Sequence, residues 1–185
     1  DGDYKVNLDY ANGNDGVPFV GYLEIDPTFT VSSNSWSEAI REGNSNDTCE
    51  ETGGTYSTQG VAHYVSLYNT GNANECIRSL IEWDISSIPD TATISDTHFK
   101  FGNSGSPSIN APNAIDIFSV TAQQPSTRTT TQNFDECNND IKVVSGTTEF
   151  DTEANNHDID LTATADSDIT SHVNSGNDWY AICMS

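Results

Sequence analysis

Several groups of side chains in this sequence have chemistry open to them, and the most abundant are oxygen ligands. Clusters at Asp9, Asn12, Asn14 and Asp15, at Glu42, Asn44, Asn46 and Asp47, at Asp135, Asn138, Asn139 and Asp140, and at Asp151, Glu153, Asn155 and Asp158 could each supply several of the oxygens that Ca2+ takes. None follows EF-hand spacing, so calcium is an expectation from composition, with Asp9, Asn14, Asp15, Asp135 and Asp140 as its leading ligands; the plainer reading is solvated loops. The thiols are Cys49, Cys76, Cys137 and Cys183. They lie too far apart for a zinc ribbon or finger, and their even number points to two disulfides. Three pairings are open. The favoured one joins Cys49 to Cys76, tethering an irregular loop to a strand, and Cys137 to Cys183, holding a second loop to the last strand; each bridge would contribute roughly 3–4 kcal/mol. Trp36, Tyr56 and Trp179 fall outside obvious core positions, where an aromatic face can stack on a sugar ring, although core packing competes for them. Asn46-Asp47-Thr48 is the sole N-glycosylation sequon.

Covalent and acid–base catalysis find no comparable support. There is no Gly-x-Ser-x-Gly, no phosphate loop, no His-Glu-x-x-His and no haem attachment motif. His63, His98, His157 and His172 are scattered. Carboxylate pairs of the glycosidase kind are uninformative in a chain holding 28 acidic residues. The expectation is a protein that is not an enzyme.

The elements that must position these groups are short and β-rich. Residues 78–89 carry Leu80, Ile81, Trp83, Ile85 and Ile88, too apolar for a strand with a wet face, which predicts a central strand covered on both sides. Residues 94–101 alternate, with Thr97, Phe99 and Phe101 on one face and Asp96, His98 and Lys100 on the other, the period of a half-buried outer strand. Between them, Pro89-Asp90 and the Ser/Thr content oppose both strand and helix. Further strands are expected at residues 3–10, 17–25, 29–31, 61–68, 114–121, 159–161 and 179–184. Residues 36–43 read as a polar turn into a strand, 123–133 as a Thr-rich connection, 141–150 as a hairpin around Ser145-Gly146, and 169–173 as one helical turn. At 185 residues one undivided sandwich fits.

Arg78-Ser79-Leu80-Ile81, Trp83-Asp84-Ile85-Ser86-Ser87-Ile88-Pro89 and Ala92-Thr93-Ile94 together resemble the signature of the DNRLRE domain, a family of secreted or cell-surface sandwiches of jelly-roll type, some of which are carbohydrate-binding modules. The likeness covers residues 26–184 and is specific only in this stretch. Glu82 departs from it, standing where the family more often has a basic residue. The resemblance implies an all-β, single jelly-roll-like β-sandwich over residues 26–185, with residues 1–25 as an N-terminal extension, and an extracellular or cell-surface location.

Six basic residues against 28 acidic ones, a net charge of −22, exclude nucleic acid as a partner, since phosphate binding needs clustered Lys and Arg. Anionic lipid is excluded on the same ground, and no apolar run is long enough to cross a bilayer as a helix. The chain begins at Asp1 without Met and reads as a mature form after signal-peptide removal. With 34% hydrophobic residues the core is thin, so disulfides, cations or neighbouring subunits are expected to reinforce it.

The strand at residues 3–10 alternates most strictly, with Tyr4, Val6, Leu8 and Tyr10 on one side, and residues 11–16 after it form a flexible joint. Either this strand pairs within its own sandwich, or it leaves on the joint and completes the sheet of a neighbour. The functional expectation is a non-catalytic structural subunit of an extracellular filament, pilus-like, or of a surface layer: a homopolymer formed by donor-strand complementation. The alternative is a secreted carbohydrate-binding module with a glycan as partner.

Overall fold

A computed structural model describes residues 4–11, 20–25, 29–32, 34–44, 55–60, 66–69, 74–101, 114–137, 141–149 and 157–185, and side chains at 35–42, 56–58, 76–101, 114–137, 141–149 and 157–185. Two sheets are present. The strands are β1 (Tyr4–Ala11), β2 (Val20–Ile25), β3 (Phe29–Ser32), β4 (Asn34–Asn44), β5 (Thr55–Gly60), β6 (Ser66–Asn69), β7 (Asn74–Asp84), β8 (Ile94–Phe101), β9 (Ile115–Val120), β10 (Ile141–Thr147), β11 (His157–Asp160) and β12 (Trp179–Met184). Two α-helices, α1 (Thr130–Glu136) and α2 (Thr162–Asn174), and a 3-10 turn at Pro125–Thr127 complete the described elements. One sheet runs β11-β8-β1-β2-β3 and the other β10-β9-β12-β7-β4-β5, with β6 also on β7. The chain is an all-β sandwich, as its alternating runs predict.

β7 is the central strand expected of its composition. It pairs with β4 along one edge, while its other edge takes β12 opposite residues 79–84 and β6 opposite residues 74–77. Every side chain from Cys76 to Trp83 is buried. β8 belongs to the other sheet. Turns at Ile85–Ile88 and Pro89–Ala92 carry the chain across, and Ile85, Ile88 and Ala92 are buried on the way. The expected alternation in β8 holds, with Thr97, Phe99 and Phe101 buried. Its position is not outer: β11 and β1 flank it. Between the sheets, Trp83 meets Phe99 edge-on at 6.1 Å and Phe99 stacks on Phe101 at 5.0 Å.

A second core lies on the opposite face of the β7 sheet. Leu80, Val120, Phe134, Ala181 and the Cys137–Cys183 pair form it, with Ile40 and Cys76. Because β7 alternates about its own axis, Ile81 and Trp83 serve the inter-sheet core while Leu80 serves this one.

Four local expectations are corrected. Residues 36–43 lie in an eleven-residue strand, β4, whose acids Glu38 and Glu42 are buried. Covered by neighbouring elements, that face has no need of an apolar pattern. The Thr-rich connection holds α1, begun by a reciprocal capping box of Thr129 and Gln132. Residues 141–147 are one strand, not a hairpin arm. Gly146, at φ 62°, sits in an irregular register against β9, and its N–H donates to Asp116 Oδ1 at 2.8 Å, so it marks a bulge. The single turn expected at 169–173 is a helix of 13 residues, α2. Ala165, Ile169 and Val173 give it one buried stripe, and Ser167, Ser171 and Ser175 donate back to the carbonyls of Ala163, Ser167 and Ser171, absorbing hydroxyls that otherwise favour turns. Of the expected strand at 61–68, only residues 66–68 lie among the described residues, in β6.

Candidate functional site

The candidate donor strand, β1, is an interior strand. It runs antiparallel to β2 and parallel to β8, the one parallel pair among the described strands. Tyr4 stands opposite Ile94, Val6 opposite Thr97, Leu8 opposite Phe99 and Leu23, and Tyr10 opposite Gly21. The alternation of Val6 and Leu8 is thus in step with the buried positions Thr97 and Phe99. Asp9 is paired with Tyr22 in the same ladder. In this structure β1 fills its own sheet, so the two readings of this strand reduce to whether the same slot is filled from within or from a neighbour. Taking β1 out would leave β8 and β2 with facing rows of unpaired amides and carbonyls, a groove that only another strand satisfies.

The three aromatics proposed for sugar stacking come to one face. Trp36, Tyr56 and Trp179 all pack against the second core. Tyr56 is committed to structure: its ring lies 5.0 Å from Phe134, and its hydroxyl donates to Asp135 Oδ1 at 3.0 Å. Trp179 differs, because it also forms one wall of an open cleft of about 270 Å3 with Ser35, Glu82, Asp84, Ser86, Gln124 and Asp178. His172 holds it from behind. The two rings meet at right angles at 4.5 Å, and Nδ1 lies 3.0 Å from the Trp179 carbonyl. Burial lowers the His172 pKa, outweighing that carbonyl and Asp168, so the neutral ring donates there.

Glu82 forms the cleft's inner wall and is itself buried. Its carboxylate accepts from the Ser126 N–H at 2.9 Å, Gln124 Nε2 at 2.8 Å, Ser126 Oγ at 3.1 Å and Ser35 Oγ at 3.2 Å. These bonds fasten the 3-10 turn Pro125–Thr127 to β7 and meet the cost of burying a carboxylate. An acid at position 82, unexpected from the family likeness, is therefore required by its surroundings here. Asp84 sits at the rim, opposite Trp179 in the β7–β12 ladder. The Ser86 hydroxyl and N–H hold its carboxyl below the usual range, the N–H at 2.9 Å. Asp178 is exposed. Sequence reasoning singled out Trp179 but missed the cleft, whose walls come from four separated segments.

Other polar groups serve the frame. Glu38 accepts from Thr58, Thr130 and Asn133, tying β4 to β5 and α1. Arg78 is buried with its guanidinium 4.0 Å above the Phe134 ring. On β8, His98 lies between Asp158 at 2.7 Å and Asp96 at 2.8 Å. Burial opposes protonation of His98, but hydrogen bonds and charge from Asp158 and Asp96 prevail and raise its pKa.

The Cys137–Cys183 bridge is present as expected, with Cα atoms 5.5 Å apart. Cys76 is also disulfide-bonded, and Cys49 lies outside the described residues. Of the calcium ligands, Asp9 is on β1 and Asp135 receives Tyr56, while Asn14, Asp15 and Asp140 lie outside the described residues, as does Asn46 of the sequon. Among the described residues no group of three or more His, Cys, Asp or Glu side chains is placed to hold a metal ion, and no helix is long and apolar enough to cross a membrane. No family model, curated protein or solved structure matches this chain.

Proposed function

We propose that the protein is a non-catalytic structural subunit that builds an extracellular filament or surface layer by passing β1 into the neighbouring subunit. The observation that carries this reading is the place of β1 inside its sheet, parallel to β8 on one side and antiparallel to β2 on the other. A neighbour's β1 in the same register would make the same ladder bonds, so exchange costs no pairing. Residues 12–19, which separate β1 from β2, would reach about 28 Å if extended. Head-to-tail insertion does not close on itself and therefore propagates, giving a fibre unless the rotation makes a ring. The DNRLRE likeness agrees with a location outside the cell.

Removing residues 1–11 is the test. The truncated protein should remain a soluble monomer of reduced stability, and a peptide of residues 1–11 added in trans should bind it and raise its melting temperature. A truncated protein that still polymerises, or that ignores the peptide, contradicts the reading.

A secreted carbohydrate-binding module is the second reading, favoured by Trp179 standing on a cleft among hydroxyl, amide and carboxylate groups. Oligosaccharide binding that Trp179→Ala abolishes and Trp36→Ala spares would move the assignment there.

A further inference from the structure

The cleft beside Trp179 has an electrostatic character that sugar stacking alone does not use. Its described lining holds three carboxylates, from Glu82, Asp84 and Asp178, three neutral polar groups, from Ser35, Ser86 and Gln124, and one aromatic, with no basic side chain among them. Glu82 is saturated by donors from Ser35, Gln124 and Ser126, so it serves as wall. Asp84 keeps a fixed place through the Ser86 N–H and faces Trp179 across the ladder. Asp178 stands exposed next to Trp179. An aromatic ring beside two rim carboxylates, with no basic side chain in the described lining, is the arrangement that attracts an ammonium group, by the ring quadrupole and by Coulomb attraction together. The volume, about 270 Å3, admits a ligand of single-ring size and lies just below the usual range of small-molecule pockets.

We propose that this cleft binds a small organic ammonium, seated against Trp179 with Asp84 and Asp178 as counter-charges. Two sources carry that chemistry: an amino sugar with a free amine, or a methylated ammonium compound. Acidic sugars are rejected by like charge. The inference rests on the cleft as a binding site, which it shares with the carbohydrate reading. It is independent of the filament reading.

Matched probes separate the possibilities. The full chain is titrated at low salt, by NMR or calorimetry, with glucosamine against glucose and with choline against its uncharged isostere 3,3-dimethylbutanol. At least one charged probe should bind roughly tenfold or more tightly than its neutral partner, and the one that binds identifies the source. Asp84→Asn and Asp178→Asn, nearly isosteric changes, should each weaken that probe severalfold. Trp179→Ala should weaken it roughly three- to tenfold, although the loss of packing on His172 makes the two Asn variants the cleaner measurement. Asp90→Asn, in the turn between β7 and β8, should change nothing. Equal affinity for glucose and glucosamine, with choline and its isostere also equal, would overturn ammonium recognition and leave the carbohydrate reading standing. An equal loss in Asp90→Asn would overturn it too, by reducing the effect to general attraction toward a chain of net charge −22.

Discussion

β7 and β1 are both interior strands with a partner on each edge, yet they are held in different ways. β7 is covered on one face by the inter-sheet core and on the other by the core beneath α1, and it carries the disulfide-bonded Cys76. No second copy could supply β7 without carrying most of the domain with it. β1 has β8 and β2 beside it in a ladder of backbone bonds, and an identical strand from another chain satisfies that ladder equally well. Interior position alone therefore does not decide whether a strand can be exchanged. Under the proposed exchange, the balance for β1 between self-insertion and insertion into a neighbour falls to linker length and protein concentration.

The sharpest way to break this contrast is to damage each strand separately. Trp83→Ala, which empties the inter-sheet core under β7, should cost up to about 5 kcal/mol, comparable with the whole stability of many domains. Loss of cooperative unfolding in denaturant would show it. If Trp83→Ala were tolerated while removal of residues 1–11 unfolded the protein, the roles assigned to the two strands would be reversed.

A smaller loss is expected at the second core. Cys137 and Cys183 are 46 residues apart, and replacing both with Ser should lower stability by about 2–4 kcal/mol, read from the denaturation midpoint. Uptake of the 1–11 peptide by the truncated protein should survive, because the bridge braces the sheet that does not contain the slot. Loss of uptake along with the bridge would mean that the two sheets do not behave separately.

The smallest effect is a pH dependence on the far side of β8. Since the folded pKa of His98 is raised, its clamp on Asp158 is fully present below the unfolded value of about 6.5 and is lost as pH rises through the folded value. The contribution of this half-exposed cluster should stay within about 1 kcal/mol. The protection of the β11 amides, measured relative to their intrinsic base-catalysed exchange at each pH, should fall as pH rises above about 6.5 in the natural protein, and His98→Gln should remove that fall. Unchanged pH dependence in that variant would locate the titration elsewhere.

Much of the frame is legible in the sequence because strands announce themselves by alternation. Thr97, Phe99 and Phe101 have that signal in full, and Leu80, Ile81 and Trp83, apolar on both faces of β7, signal a strand covered on both sides. β4 escapes because Glu38 faces a polar cover of Thr58, Thr130 and Asn133, the last two far along the chain, which a window on β4 cannot contain. α2 escapes because Thr, Ser and Asp dominate it, although Ala165, Ile169 and Val173 mark a helical stripe at intervals of four. The Thr129–Gln132 cap, by contrast, is a local pattern that composition concealed. At the candidate site, Trp179 was visible as an aromatic near the end of the chain. Its partners were not, since Ser35, Glu82, Asp84 and Gln124 meet it only through the order of strands in the sheet.

Whether β1 is exchanged can be measured on the natural sequence, because Lys5 stands opposite Asp96 in the β1–β8 register. Natural-isotope and 15N-labelled chains would be unfolded, mixed, refolded together and allowed to assemble. A zero-length carboxyl–amine cross-linker would then join Lys5 to Asp96, and mass spectrometry would read the isotopes of the two linked peptides. Exchange predicts linked pairs in the assembled particle with one light and one heavy member, at the frequency of random mixing. Pairs that are always light with light or heavy with heavy would mean that every subunit keeps its own strand, and the proposed assembly would fail.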